Sequence, residues 1–263
     1  MKKYWFIFKT EVMSNLQYAS NILLGFIGNF IMLFILFNLW NYLYDDPTQV
    51  INGYTKYAMI WYVIVTEYVW MVVGGRRLCN KISEEVKSGS VSYKLNKPYN
   101  YVGYCLTTHL GSIFIKAMIY LVLFGTVGFI FVGHFPSLNI LSGLITLLTC
   151  FIAVVISTLL LTAIGLFAFF IEDSGPLYWV YSKILLVLGT IFPIEYFPKV
   201  LQSILKYTPV FVVCYGPAKL FVDFTYSKAG IILGAQLIYV LLSYLLCLLI
   251  YKKGVKNINV NGG

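Results

Sequence analysis

Charge is what this chain has least of. Only 11% of its 263 residues are Asp, Glu, Lys or Arg, against about a quarter in soluble domains, and a water-soluble fold is excluded on that ground. Histidine and paired cysteine are equally thin. His109 and His134 have no partner at metal-ligand spacing, and Cys79, Cys105, Cys150, Cys214 and Cys247 are scattered without a CxxC pair. Zinc sites and dithiol redox motifs are thereby set aside. The chain has no GxxxxGK[ST] loop to cradle nucleotide phosphates, and neither HExxH nor GxSxG to support hydrolysis. It is read as a non-enzyme.

Apolar sequence is what remains, with 60% hydrophobic and 18% aromatic residues. A membrane-crossing helix needs roughly 20 mostly apolar residues. Runs at 20–43, 56–75, 104–132, 139–170, 178–197 and 229–251 meet that need. Transmembrane barrels show alternating segments of about ten residues, and these runs are apolar on all sides. The expectation is an all-α membrane protein with six transmembrane helices in one domain over 1–263. Lys2 and Lys3 resemble the start of a leader, but Lys9 and Glu11 interrupt the apolar stretch beyond them, so the first long run is expected to stay as a span.

The charges that exist sit beside the spans, which speaks for topology and headgroup contact and against nucleic acid despite the net +9. With the N-terminus inside, one face collects Lys2, Lys3, Lys9, Arg76, Arg77, Lys81, Lys87, Lys94, Lys97, Lys252, Lys253 and Lys256. The other collects Lys56, Lys199, Lys206, Lys219 and Lys228. Basic residues favour the cytoplasm, which gives N-in/C-in. Before the first span, Trp5, Phe8, Val12 and Leu16 share a helical face opposite Lys2, Lys9 and Asn15. Residues 1–18 are therefore expected as an interfacial amphipathic helix.

Three places stand out along the chain. The polar stretch 76–101, RRLCNKISEEVKSGSVSYKLNKPYNY, carries six of the 19 basic residues. Ile82 and Val86 are spaced as one apolar stripe, Lys81, Glu84 and Glu85 make a charged face, and Gly89 stands where a helix would end. Local chemistry leaves two readings open: a short amphipathic helix that docks on a partner, or a solvated loop. Glu67 and Lys116 lie deep inside the second and third runs, where ionisable groups are costly and usually have a partner. They are expected as an intramembrane pair. Finally, Pro193, Pro198, Pro209 and Pro217 break an apolar stretch between the last two runs. Segment 193–228 is expected as short re-entrant helices forming an outer cap, since such backbone survives at membrane depth only against protein or a cavity.

The order Ile82-Ser83-Glu84-Glu85-Val86-Lys87-Ser88-Gly89-Ser90-Val91, continuing to Lys97-Pro98, resembles a signature of the ABC type-2 exporter permeases. The stretch Gly189-Thr190-Ile191-Phe192-Pro193-Ile194-Glu195-Tyr196-Phe197-Pro198, running on to Tyr207-Thr208-Pro209, is similar to that family's outer end of span five. Lys87-Ser88 departs from the pattern, for many members carry another glutamate or arginine there. The resemblance covers essentially the whole chain. It implies a multi-pass permease of a prokaryotic plasma membrane, moving an amphipathic or hydrophobic cargo (drug, peptide or lipid-like) outward. It also implies a separate ATP-binding-cassette ATPase that holds the ATP and Mg, this chain binding no cofactor, and a second permease copy or relative in a dimer. Ile82, Glu84, Glu85, Val86, Lys87, Gly89, Ser90 and Pro98 would form the ATPase coupling element. Pro193, Glu195, Pro198 and Pro209 would belong to the outer cap. The alternative is an ion- or proton-coupled carrier or channel that uses Glu67.

Overall fold

The computed structural model of the chain describes residues 2–46, 48–136 and 138–258; the single domain expected over 1–263 runs past them at both ends. Among the described residues the elements are, in order, α1 (Lys2–Leu16), α2 (Ala19–Leu43), a hairpin of β1 (Val50–Ile51) and β2 (Tyr54–Thr55), and α3 (Lys56–Val73). Then come α4 (Arg76–Lys87), α5 (Val91–Leu95), α6 (Tyr101–Val132), α7 (Ile140–Leu166), α8 (Ala168–Ile171) and α9 (Gly175–Leu185). The chain closes with α10 (Lys199–Leu205), α11 (Gly216–Val222) and α12 (Tyr226–Ile258). Two wide π-helical turns, Leu186–Ile191 and Phe211–Tyr215, extend α9 and lead into α11.

Side-chain caps set where several long helices begin. Thr55 accepts from the Ala58 N–H at 3.3 Å, Asn100 from Gly103 at 3.1 Å and Asn139 from Ser142 at 2.7 Å, each relieving an orphan donor of a first turn. α3 is the hub, with twelve of its 18 residues buried against four of 25 in α2. The outer helices turn Leu24, Ile27, Ile31, Ile35, Leu241, Leu245 and Leu249 outward. Apolar faces of that extent suit lipid and not water.

Among the described residues, five helices are long and apolar enough to cross a membrane: Ala19–Leu43, Lys56–Lys87, Tyr101–Val132, Ile140–Ile171 and Tyr226–Lys256. The fifth expected span, 178–197, is shorter and starts earlier, as the helix Gly175–Ile191. Phe192 is extended (φ −117°, ψ 131°) because the ring of Pro193 disfavours helical backbone in the residue before it. Even so, this segment joins the two ends of the bundle. Ser174, just before it, meets the Ser83 hydroxyl of α4 at 2.7 Å, and Tyr196, just after it, meets the Tyr44 hydroxyl at 2.9 Å.

The expected helix over 1–18 is α1, but it is sealed lengthwise to α6. The Tyr4 hydroxyl accepts from the Asn100 N–H at 3.0 Å, and Phe8 meets Phe114 edge-on at 5.7 Å. Gly111 permits this approach, since a Cβ there would lie 2.8 Å from Glu11 Cβ and 2.9 Å from the Phe8 carbonyl. The order of these contacts aligns α1 with the first turns of α6.

Candidate functional site

The polar stretch is built as a bracket on the end of the hub helix. α3 stops at Gly74, which takes the left-handed conformation (φ 52°) that glycine adopts without strain. Gly75 then passes so close to α7 that an added Cβ would sit 2.3 Å from Leu161 Cδ1. α4 follows immediately, with Leu78, Cys79 and Ile82 buried. The Cys79 thiol donates to the Leu161 carbonyl at 3.3 Å, and Ile82 fits over Gly165, where a Cβ would come within 2.7 Å of its Cδ1. α4 is therefore fixed to α7 and to the start of α9, and the two readings of its sequence resolve in favour of a helix.

The eight residues expected to couple divide into two groups. Ile82 and Glu85 point inward. Glu85 is bonded by the Lys94 ammonium and accepts from the Tyr101 hydroxyl at 2.8 Å, which ties α4, α5 and α6 together. Burial opposes the charge on Lys94, yet the hydrogen bond and negative charge of Glu85 outweigh it and hold Lys94 above the ordinary lysine range. Val86 is half-buried, while Glu84, Lys87, Gly89, Ser90 and Pro98 are exposed. Lys87 lies 3.7 Å from Asp173, a surface pair of little energetic weight. Gly89 has φ 70° and open space around it. The outward face is thus the tip of α4 and the turn into α5, flanked by an aromatic knob that residue-by-residue reading passed over. Tyr93 is 70% exposed, with the Lys97 ammonium 4.5 Å from its ring centre. A lone aromatic amid polar residues was its available signal; Tyr101 had none, because its bond to Glu85 is made across the fold.

Glu67 and Lys116 are not brought together as an ion pair. Lys116 donates to the Met71 carbonyl and lies 5.1 Å from the Tyr120 ring centre. Met71 is four residues nearer the end of α3 than Glu67, roughly 6 Å along a helix, so the two helices are out of register for the pairing. Lys116 satisfies the electronegative carbonyl end of α3 instead. Glu67 is 1% exposed, and its Oε1 has no hydrogen-bond partner.

At the far end of the bundle the broken segment is clasped. Glu195 accepts from the Tyr54 hydroxyl at 3.1 Å and from Tyr215 at 2.7 Å, with Lys219 Nζ 3.4 Å away. Lys219 also reaches Asp223 at 3.2 Å, and Lys228 meets the same carboxylate at 2.6 Å. Burial pushes the Asp223 pKa up, but the hydrogen bonds from Lys228 and Lys219 prevail and hold it below the usual aspartate range. Burial raises the Tyr54 phenol, and the charge of Glu195 raises it further. The prolines set the breaks: Pro193 precedes the tight turn Ile194–Tyr196, Pro198 precedes α10, and Pro209 follows the end of α10.

A multi-pass helical bundle, lipid-facing on its outer helices and presenting one rigid polar bracket, belongs to the class of membrane transport subunits. The chain is a member of the ABC-2 transporter family, a transmembrane ABC transporter permease: the family model described as ABC-2 family transporter protein matches residues 30–262. Permeases of this family partner with an ATP-binding subunit. A comparison with curated proteins found no match.

Proposed function

We propose that this chain is the permease half of an exporter, driven by a separate ATPase that docks on the turn between α4 and α5. The observation that carries this reading is the join at Gly74 and Gly75. The exposed tip formed by Glu84, Lys87, Gly89 and Ser90 belongs to a helix continuous, through one bend, with the most buried helix of the bundle. A push on the tip is delivered to α3, and through it to helices packed on both sides. Six passes with both termini in the cytoplasm fit the basic residues of α4 and of the last turns of α12, and would put the Glu195 clasp outside as a cap. The cargo is amphipathic or hydrophobic, ATP and Mg reside in the ATPase, two permeases pair, and the setting is a prokaryotic plasma membrane.

The test is purification of the chain with its co-expressed neighbours. An ATPase should copurify, and Glu84→Lys should abolish its stimulation by the permease while the permease still elutes as a folded particle. Undiminished transport by the Glu84→Lys protein, or transport with no ATPase present, refutes the reading. The unpartnered Glu67 oxygen favours a second reading, an ion-coupled carrier. In that case Glu67→Gln would abolish transport that persists without ATP.

A further inference from the structure

A cavity of about 260 Å³ lies directly on the α3–α4 bend, with Gly74 and Gly75 in its wall and Trp70, Leu161 and Leu185 among its apolar lining. Two polar groups in it are left incomplete. The Lys116 ammonium lines the cavity and makes one hydrogen bond, to the Met71 carbonyl, although an ammonium has three N–H donors to place. None of the ion pairs among the described residues involves it. The Tyr181 hydroxyl, across the cavity on α9, is buried without a hydrogen-bond partner. Glu67 is not among the lining residues. A half-buried cation within a membrane bundle calls for a compensating charge; Lys116 has the carbonyl end of α3 and the Tyr120 ring, but no carboxylate among the described residues.

We infer that this cavity receives the anionic head of an amphiphile, a carboxylate or phosphate group held by Lys116 and Tyr181 with its chain along the apolar wall. The volume is just under the usual range for small-molecule sites of about 300–1,000 Å³, which suits a headgroup and the first carbons of a chain. The inference deepens the exporter reading by naming a charge class for the cargo, and it rests on that reading for the word cargo alone. Because Gly74 and Gly75 belong both to the cavity wall and to the bend leading to α4, filling the site and moving the docking helix act on the same hinge.

Trp70 provides the readout. The full-length permease, in detergent and without any ATPase, is titrated with a bromo-fatty acid and with the bromoalkyl ammonium of the same chain length, following tryptophan quenching. The carboxylate should quench saturably, and Trp70→Phe should remove that component. Lys116→Met should weaken the apparent affinity at least about tenfold, as loss of a charge-assisted bond does, and Lys116→Arg should restore most of it. Equal saturable quenching by the ammonium probe, linear quenching that reflects partition into the micelle, or an unaltered Lys116→Met titration each overturns the inference. If Lys116→Met does not fold, the two probes on the native protein still decide. Failure of an ATPase to copurify would refute the exporter reading and leave this binding result intact.

Discussion

Replacing Glu85 by alanine would strip the acceptor from two donors at once, the Lys94 ammonium and the Tyr101 hydroxyl. Leaving one partner of a buried pair behind costs about 3 kcal/mol, so Glu85→Ala should lower the melting temperature clearly in a thermal scan. Glu84 is exposed and has no ion pair among the described residues. Glu84→Ala should shift stability by no more than about 0.5 kcal/mol while weakening ATPase stimulation. Periodicity placed both carboxylates on one charged face, and the difference between them was not legible because it is set by Lys94 and Tyr101, beyond the helix. Asp223 carries a pH dependence. Its pKa is lowered in the folded protein, so its contribution is complete above the ordinary aspartate value of about 4 and fades as pH falls through the folded value. Melting temperatures measured across acidic pH should drop on that limb, and Asp223→Asn should flatten the drop.

Helix elements were legible where one physical cause dominates. Long apolar runs gave α2, α3, α6, α7 and α12, and the prolines at 193 and 198 foretold that the stretch after α9 breaks. The hairpin of β1 and β2 was missed although Asn52-Gly53, with φ 50° and 86°, is a strong two-residue turn signal; it is hidden in a polar gap between spans. The alignment of α1 with α6 could not be read from α1 at all, because it depends on Gly111 of the other helix. Close approach also governs how α4 is seated, and that seating can be tested. Gly165→Ala would place a methyl 2.7 Å from Ile82 Cδ1, an overpacking cost of about 1–3 kcal/mol. The expected result is a lower melting temperature and weaker coupling. Ile82→Val removes that Cδ1, so the double variant should recover part of both losses; simple additivity in the cycle would show that this contact does not seat α4.

At the scale of the whole molecule, the number of membrane crossings sets which face each end of the bundle meets. Five helices among the described residues qualify by length and composition, and five crossings would leave the chain ends on opposite sides. The segment Gly175–Ile191 changes the count if it completes the passage that its contacts with Ser83 and Tyr44 at either end describe. Charge agrees with six crossings, for Lys252, Lys253 and Lys256 then join the basic residues of α4 on one face. All five native cysteines are buried, so single cysteines introduced at exposed positions can be labelled in intact cells against a low background. With six crossings, Lys2→Cys, Ser88→Cys and Lys253→Cys react only after the membrane is permeabilised, and Lys206→Cys reacts from outside. With five crossings the pattern inverts at the end of the chain: Lys206→Cys becomes protected and Lys253→Cys becomes accessible. That second outcome would set Glu195 and Tyr196 on the cytoplasmic side, apart from Tyr54 and Tyr44 beside the first two spans, and so would contradict the bonds that make the outer cap. It would leave the α4 tip on the same side as Lys2.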